Sequence, residues 1–127
     1  MQKTPVFLVE EEETQVHTTD SCLAAMKAVQ DSLYVLNGKW KLPIIISLTF
    51  GNKRFTEIAR DIPRITDRML SKELQELELN MLVERIQDEA SPSITRYKLT
   101  AYGKTLDPAI QELYKWGINH REKIKEE

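Results

Sequence analysis

The chain has little cysteine, glycine or proline and no long apolar run. Its single cysteine, Cys22, cannot form a disulfide within the chain, which indicates a reducing compartment. Four glycines and five prolines among 127 residues are too few for a low-complexity or collagen-like protein. No stretch approaches the ~18 apolar residues of a membrane span, and the first residues lack the basic and apolar regions of a signal peptide. We therefore expect a cytoplasmic protein with no membrane partner.

Motifs for catalysis and metal binding are also lacking. The only two histidines, His17 and His120, are far apart in the sequence and, with one cysteine, give no zinc-site spacing. The sequence contains no glycine-rich phosphate loop and no nucleophile motif. We expect no metal, no cofactor and no enzymatic activity.

Charge is nearly balanced overall but unevenly distributed. The net charge is −2, yet residues 37–104 carry 12 basic and nine acidic side chains. A weakly basic centre therefore lies between acidic ends, and a binding surface depends on local charge rather than on the total. Hydrophobic residues make up 41% of the chain, which is enough for the core of one domain.

Apolar spacing predicts a mostly helical chain. Residues 1–20 have no period and include the acidic run Glu10–Glu13, so we expect a flexible acidic N-terminal arm. Helical spacing predicts a first helix over about 21–36. Residues 40–48 are apolar enough for a buried strand or a buried helix, and Pro43 favours the helix because proline is tolerated in a first helical turn.

A helix-turn-helix is predicted over about residues 54–80. An amphipathic helix ends at Pro63, and Thr66 is a good N-cap for a second helix, residues 66–80. This second helix has a polar, partly basic outer face opposite an apolar stripe formed by Leu70, Leu74, Leu77 and Met81.

After this helix the apolar residues recur at about every second position, which predicts a β-hairpin, or wing, over about residues 82–99. A last helix is predicted over about 101–119, and residues 120–127 form a charged C-terminal tail. The predicted fold class is mainly α with a small two-stranded antiparallel wing, a winged helix-turn-helix domain over 21–119. Apolar stripes left over on the first and last helices predict that these helices form a dimer.

Six short motifs in order resemble the HxlR-type winged helix-turn-helix transcriptional regulators, over about residues 22–118. The motifs are Gly38-Lys39-Trp40-Lys41-Leu42, residues 53–58, residues 65–77, residues 82–85, residues 96–100 and Tyr102-Gly103. The resemblance implies a bacterial-type homodimeric DNA-binding repressor or activator without catalytic activity. The family often has glycine where this chain has Met81, so the turn into the wing is expected at Asn80.

The second predicted helix carries the candidate DNA-reading residues. Arginine can donate two hydrogen bonds to guanine, and glutamine can pair with adenine, in the major groove. The candidates for this role are Thr66, Arg68, Ser71, Lys72 and Gln75. Candidate contacts to the DNA backbone are Lys53, Arg54, Arg64 and Arg96. In the wing loop, Asp88 and Glu89 are expected to repel phosphate.

Two questions stay open at this point. The near-neutral charge and acidic wing loop leave a protein-interaction module without DNA binding as the alternative to a sequence-specific, homodimeric regulator. Cys22 lies near a helix start, where the dipole favours thiolate, so it could sense redox state or could simply be buried in a dimer interface. A small-molecule effector is the other candidate for a regulatory partner.

Overall fold

The structure is a computed structural model that describes residues 19–126. Most of the predicted acidic arm, residues 1–18, lies outside the described residues. The chain divides after Asn37 into two units, which are described separately. No helix among residues 19–126 is long and apolar enough to cross a membrane.

The first unit contributes one helix, α1, Thr19–Val35. It begins two residues before the predicted start, with Asp20 in the first turn, where a carboxylate favours the positive end of the helix dipole. No residue of α1 is buried by the described residues. Its exposed apolar residues recur at helical spacing and are Leu23, Met26, Val29 and Leu33.

Three helices open the second unit and are α2 (Lys41–Thr49), α3 (Phe55–Asp61) and α4 (Asp67–Leu79). The helix predicted from Pro43 is confirmed, because this residue falls in the first turn of α2, where its missing amide costs no hydrogen bond. Thr66 caps α4, and its Oγ1 accepts a hydrogen bond from the Met69 backbone amide at 3.1 Å. The predicted helix-turn-helix is therefore present as α3 and α4.

Among the described residues, the strands are β1 (Lys53–Arg54), β2 (Val83–Gln87) and β3 (Thr95–Leu99). They form one antiparallel sheet in the order β1-β3-β2, so the long β-hairpin gains a short third strand on the β3 side. The predicted two-stranded wing is thus part of a three-stranded sheet. β1 was not predicted, because two residues are too few to show an alternating apolar pattern.

The C-terminal region forms α5 (Ala101–Lys104) and α6 (Asp107–Lys125). The predicted single helix over 101–119 is therefore interrupted after Lys104, and it extends six residues further than expected. Much of the predicted tail is helical, with Lys123 and Lys125 in the last turn, where cations favour the negative end of the helix dipole. The exposed large apolar residues of α6 are Leu113, Tyr114, Trp116, Ile118 and Ile124.

The core of the second unit packs α2, α3 and α4 against the sheet. Its buried side chains include Ile44, Ile45, Leu48, Ile58, Leu70, Leu74, Leu77, Leu82, Val83 and Leu99. Gly103 approaches Leu82 so closely that a Cβ at position 103 would lie 2.2 Å from the Leu82 carbonyl oxygen. This contact fixes the start of the C-terminal helices against the wing.

The turn from α4 into the wing differs from the prediction. Met81 adopts a left-handed conformation with φ 62°, whereas Asn80 has φ −89°. Met81 also leaves the predicted apolar stripe, because its side chain is 68% exposed. The expectation that Asn80 carries this turn is therefore wrong, and a methionine occupies the position that ordinarily favours glycine.

Candidate nucleic-acid interface

The helix α4 presents a polar face to solvent. Arg68, Ser71, Lys72 and Gln75 follow the spacing i, i+3, i+4 and i+7, and all four side chains are exposed. The opposite face of the helix, which includes Leu70, Leu74 and Leu77, is buried. The candidate base-reading residues therefore share one accessible face, with the capping Thr66 at its N-terminal end.

Within this face, the cations differ in their surroundings. Lys72 Nζ lies 3.1 Å from Glu76 Oε2, one turn later on the same helix, and remains mostly exposed. Arg68 makes no ion pair with any described residue. Its guanidinium is consequently available for a bidentate contact with a planar partner such as a guanine edge.

The charge of α4 itself is unfavourable for DNA, since the helix contains four acidic and only two basic residues. Three of the carboxylates are paired with cations. Lys41 Nζ donates to Glu73 Oε1 at 2.5 Å and to Glu76 Oε1 at 2.6 Å, and Arg85 Nε lies 3.1 Å from Glu78 Oε1. Asp67, the fourth, lies in the first turn, where it stabilises the helix dipole.

Sequence reasoning missed the role of Lys41, which is only 2% exposed at the start of the apolar helix α2. Burial lowers the pKa of Lys41, but its hydrogen bonds to Glu73 and Glu76 outweigh burial and raise that pKa above the usual lysine value. The hydrogen bonds from Lys41 and Lys72 lower the pKa of Glu76. A lysine within an otherwise apolar run was the available signal for a buried ion pair.

Arg54 and Arg96, two predicted backbone contacts, meet on one carboxylate at the loop end of the hairpin. Asp88 Oδ2 accepts hydrogen bonds from Arg54 Nη2 at 3.2 Å and from Arg96 Nε at 3.0 Å. The Ala90 backbone amide and the two guanidinium groups lower the pKa of Asp88, so it is ionised at neutral pH.

The expectation that Asp88 repels phosphate from the wing loop is therefore wrong. Its side chain is only 10% exposed, and its charge is balanced by two arginines. Glu89, the next residue, is exposed. Only the second of the two predicted loop carboxylates thus projects toward solvent.

The remaining predicted contacts lie apart from this cluster. Lys53 pairs with Asp61 and donates to Ser47 Oγ at 3.2 Å, and the hydrogen bonds from Lys53 and Ser47 lower the pKa of Asp61. Arg64 is exposed in the turn between α3 and α4 and has a left-handed backbone, φ 73°. Of the backbone candidates, Arg64 therefore carries the most accessible charge.

Two further residues of interest belong to other helices. Cys22 is a free, half-buried thiol in the first turns of α1, in the other unit of the chain. His120 belongs to α6 rather than to a tail, and its ring stacks on Trp116 with centroids 4.8 Å apart. The described residues contain no cluster of His, Cys, Asp and Glu suited to a metal ion.

Comparison with known proteins now identifies the family. The family model of the HxlR-like helix-turn-helix matches residues 35–125. The chain belongs to this family. It is 38% identical over 97 residues to the uncharacterized HTH-type transcriptional regulator YtcD of Bacillus subtilis (strain 168), a match that covers 76% of this chain and 77% of the relative.

Solved structures of regulators agree with this assignment. The redox regulator HypR in its reduced form superposes with a TM-score of 0.71 at 36% identity, covering 79% of this chain and 99% of that chain. Quinone-bound YodB from B. subtilis gives a TM-score of 0.62 at 34% identity, covering 73% and 98%. The HxlR-type resemblance and the winged-helix fold predicted from the sequence are confirmed, and the protein is a DNA-binding transcriptional regulator of the helix-turn-helix class.

Proposed function

We propose that this HxlR-type regulator acts in the cytoplasm as a homodimer that reads a specific DNA sequence, with α4 of each protomer in the major groove. The exposed face of α4 carries the proposal, because it combines two cations, a hydroxyl and an amide at helical spacing. Helix-turn-helix proteins read base edges from this position, and their dimers contact half-sites about 34–36 Å apart. The proposal assigns the protein no catalytic activity.

Residues of this face take different roles according to their side chains. Arg68 and Gln75 suit base edges, because a guanidinium fits guanine and a carboxamide fits adenine. Lys72, Ser71 and Thr66 suit nearby phosphates or bases. Arg64 adds a phosphate contact from the turn before the helix.

The wing cations take a structural role in this proposal. Arg54 and Arg96 form ion pairs with Asp88, and Lys53 forms an ion pair with Asp61. Part of the charge of each group is balanced by a carboxylate, which weakens its attraction for a phosphate. We therefore assign these three residues to the positioning of the wing and of α3 rather than to direct phosphate binding.

Exposed apolar residues support the homodimer. Neither α1 nor α6 has a residue buried by the described chain, although each presents several large apolar side chains to solvent. Such faces on helices of 17 and 19 residues are typical of surfaces that become buried in a dimer. We propose that a second copy of this chain covers these apolar faces, because a two-fold symmetric DNA site requires two protomers.

The test of this function is selection of duplexes from a random-sequence pool by the purified protein, followed by fluorescence anisotropy. The selected duplex and a scrambled duplex of the same composition are titrated across a salt series. We expect tight binding to the selected duplex, weaker binding to the scrambled one, and a steep loss of affinity with salt. Failure to enrich any sequence would favour the protein-interaction module instead.

An effector response is the second part of the proposal. The structural neighbours include a redox regulator and a quinone-bound protein, and Cys22 is the only thiol of this chain. We propose that modification of Cys22 changes DNA affinity, either because an electrophile adds to its sulfur or because the Cys22 thiols of two copies join in a disulfide while an oxidant such as diamide takes up the two electrons and two protons. Titration before and after diamide treatment, with Cys22→Ser as the control, tests this: a change that persists in the serine variant rules out Cys22.

A further inference from the structure

The buried ammonium of Lys41 joins α2 to the helix that carries the DNA-reading face. Its Nζ donates to two carboxylates of α4, Glu73 and Glu76, which are three residues apart and so lie on adjacent turns. The Glu73 side chain is itself largely buried, whereas that of Glu76 is partly exposed. One cation from the core therefore holds two points along α4.

Two attachment points on one helix constrain its rotation about its own axis. The apolar contacts of Leu70, Leu74 and Leu77 fix which broad face of α4 is buried, but aliphatic contacts are non-directional. Hydrogen bonds between charged groups are directional and short. The Lys41 contacts therefore select one rotation of α4 among those that the apolar stripe allows.

The same contacts neutralise charge where DNA would approach. Without partners, the four carboxylates of α4 would outweigh Arg68 and Lys72 and repel phosphate. Lys41 balances charge from within the domain, and Lys72 contacts Glu76 from the exposed side at 3.1 Å. Glu76 thus links the buried lysine to the DNA-reading face.

We propose that Lys41 is a positioning residue for DNA reading, which sets the rotation of α4 by holding Glu73 and Glu76 and thereby aims Arg68 and Gln75 at the base edges. This inference rests on the proposed function. A purely structural ion pair makes a different prediction, because replacing a buried pair with apolar residues is often neutral for stability. DNA discrimination therefore separates positioning from stability.

The test compares charge-balanced variants. In Lys41→Met/Glu73→Leu, one cation and one anion are removed together, so the net charge stays the same and Glu76 keeps Lys72. The control, Lys115→Met/Glu112→Leu, removes an exposed pair on α6 whose atoms lie 3.5 Å apart. Should the apolar pair prevent folding, Lys41→Gln/Glu73→Gln replaces it, since both amides can still hydrogen-bond.

The readouts are thermal unfolding, backbone amide NMR shifts of α4 in the free protein, and the ratio of dissociation constants for scrambled and selected duplexes. We expect a folded variant with altered shifts across residues 67–79 and a discrimination ratio lowered about ten-fold, the loss of one bidentate base contact. The control should match the wild type in all three measurements.

The outcomes separate this inference from the function on which it rests. A wild-type protein that enriches no DNA sequence overturns the proposed function, and the inference falls with it. A wild type that discriminates, together with a folded variant whose ratio stays within about two-fold, overturns the positioning role of Lys41 alone.

Discussion

Arg54 lies directly opposite Arg96 in the antiparallel pairing of β1 with β3. Like charges at directly opposed positions destabilise a sheet unless another group compensates for them. Asp88 is that group, since its Oδ2 accepts from both guanidinium groups. The wing is therefore held to the start of α3 by an ion cluster that only the folded chain assembles.

Replacement of Asp88 by Asn should destabilise the protein and make its stability less dependent on pH. The pKa of Asp88 is lowered in the folded state, so its ionised form stabilises the fold above the ordinary aspartate pKa. That contribution is lost as pH falls from about 4 through the folded-state pKa. Urea unfolding from pH 7 to pH 2.5 should show a smaller loss of stability in Asp88→Asn than in the wild type.

The control for this pH dependence is Glu89→Gln, the exposed neighbour in the same loop. Its acid profile should follow the wild type, because the substitution leaves the cluster of Asp88 with Arg54 and Arg96 intact. Parallel profiles for Asp88→Asn and the wild type would show that the cluster contributes nothing to stability.

Replacement of Arg68 by Ala should reduce discrimination between selected and scrambled DNA. The loss of a bidentate base contact is worth about 1–3 kcal/mol and affects the selected duplex more than the scrambled one. Arg121→Ala, an exposed arginine on α6, is the matched control and should leave the ratio unchanged. Anisotropy titrations at one salt concentration measure both, and an unchanged ratio in Arg68→Ala would mean that another face reads the DNA.

Arg54→Ala should behave differently from Arg68→Ala. Its guanidinium is engaged by Asp88, so the substitution should lower the unfolding midpoint while the affinity of the folded protein for both duplexes changes little. The measurement is thermal unfolding alongside the same titrations. An equal weakening of both duplexes with unchanged stability would instead restore Arg54 as a phosphate contact.

These contrasts mark what the sequence could and could not predict. The exposed stripe of α4 follows from helical spacing alone, since Arg68 and Gln75 are fixed relative to Leu70 and Leu74 by the 3.6-residue period. Arg54 and Arg96 share one partner, Asp88, which is 34 positions from Arg54 in the chain. Ion pairs between residues far apart in the chain leave no periodic pattern in the sequence. The cations could therefore be identified as candidates, but their carboxylate partners could not be predicted.

The turn at Met81 shows the same limit at the level of the backbone. Asparagine tolerates a left-handed conformation better than methionine, so residue preferences favour Asn80 for this turn. In the structure, the Asn80 side chain instead donates from Nδ2 to the Glu76 carbonyl at 3.1 Å and extends the end of α4. The left-handed position consequently moves one residue on, which residue preferences alone do not reveal.

Replacement of Met81 by Gly should stabilise the protein. Relief of the left-handed conformation is worth about 1–2 kcal/mol, and the added freedom of glycine in the unfolded chain offsets about 0.4–1 kcal/mol of it. Asn80→Gly is the matched control and should destabilise, because it removes a hydrogen bond at an ordinary φ. Denaturant unfolding measures both changes, and a destabilised Met81→Gly would mean that the methionine side chain contributes more than its 68% exposure indicates.

Introduction of a charge on either terminal helix should break the homodimer. Leu33 on α1 and Leu113 on α6 are exposed apolar residues at 65% and 55% exposure, and glutamate at either position could not be buried without a partner. Sedimentation should give about twice the 14.8 kDa chain mass for the wild type and the single-chain mass for Leu33→Glu and Leu113→Glu. Affinity for the selected duplex should fall in both variants, since one protomer can occupy only one half-site. The controls are Ala28→Glu, on the side of α1 opposite its apolar stripe, and Gln111→Glu on α6; they add the same charge at exposed positions and should remain dimeric. A wild-type protein that sediments as a single chain would contradict the dimer while leaving the reading of DNA by α4 to be decided by Arg68→Ala.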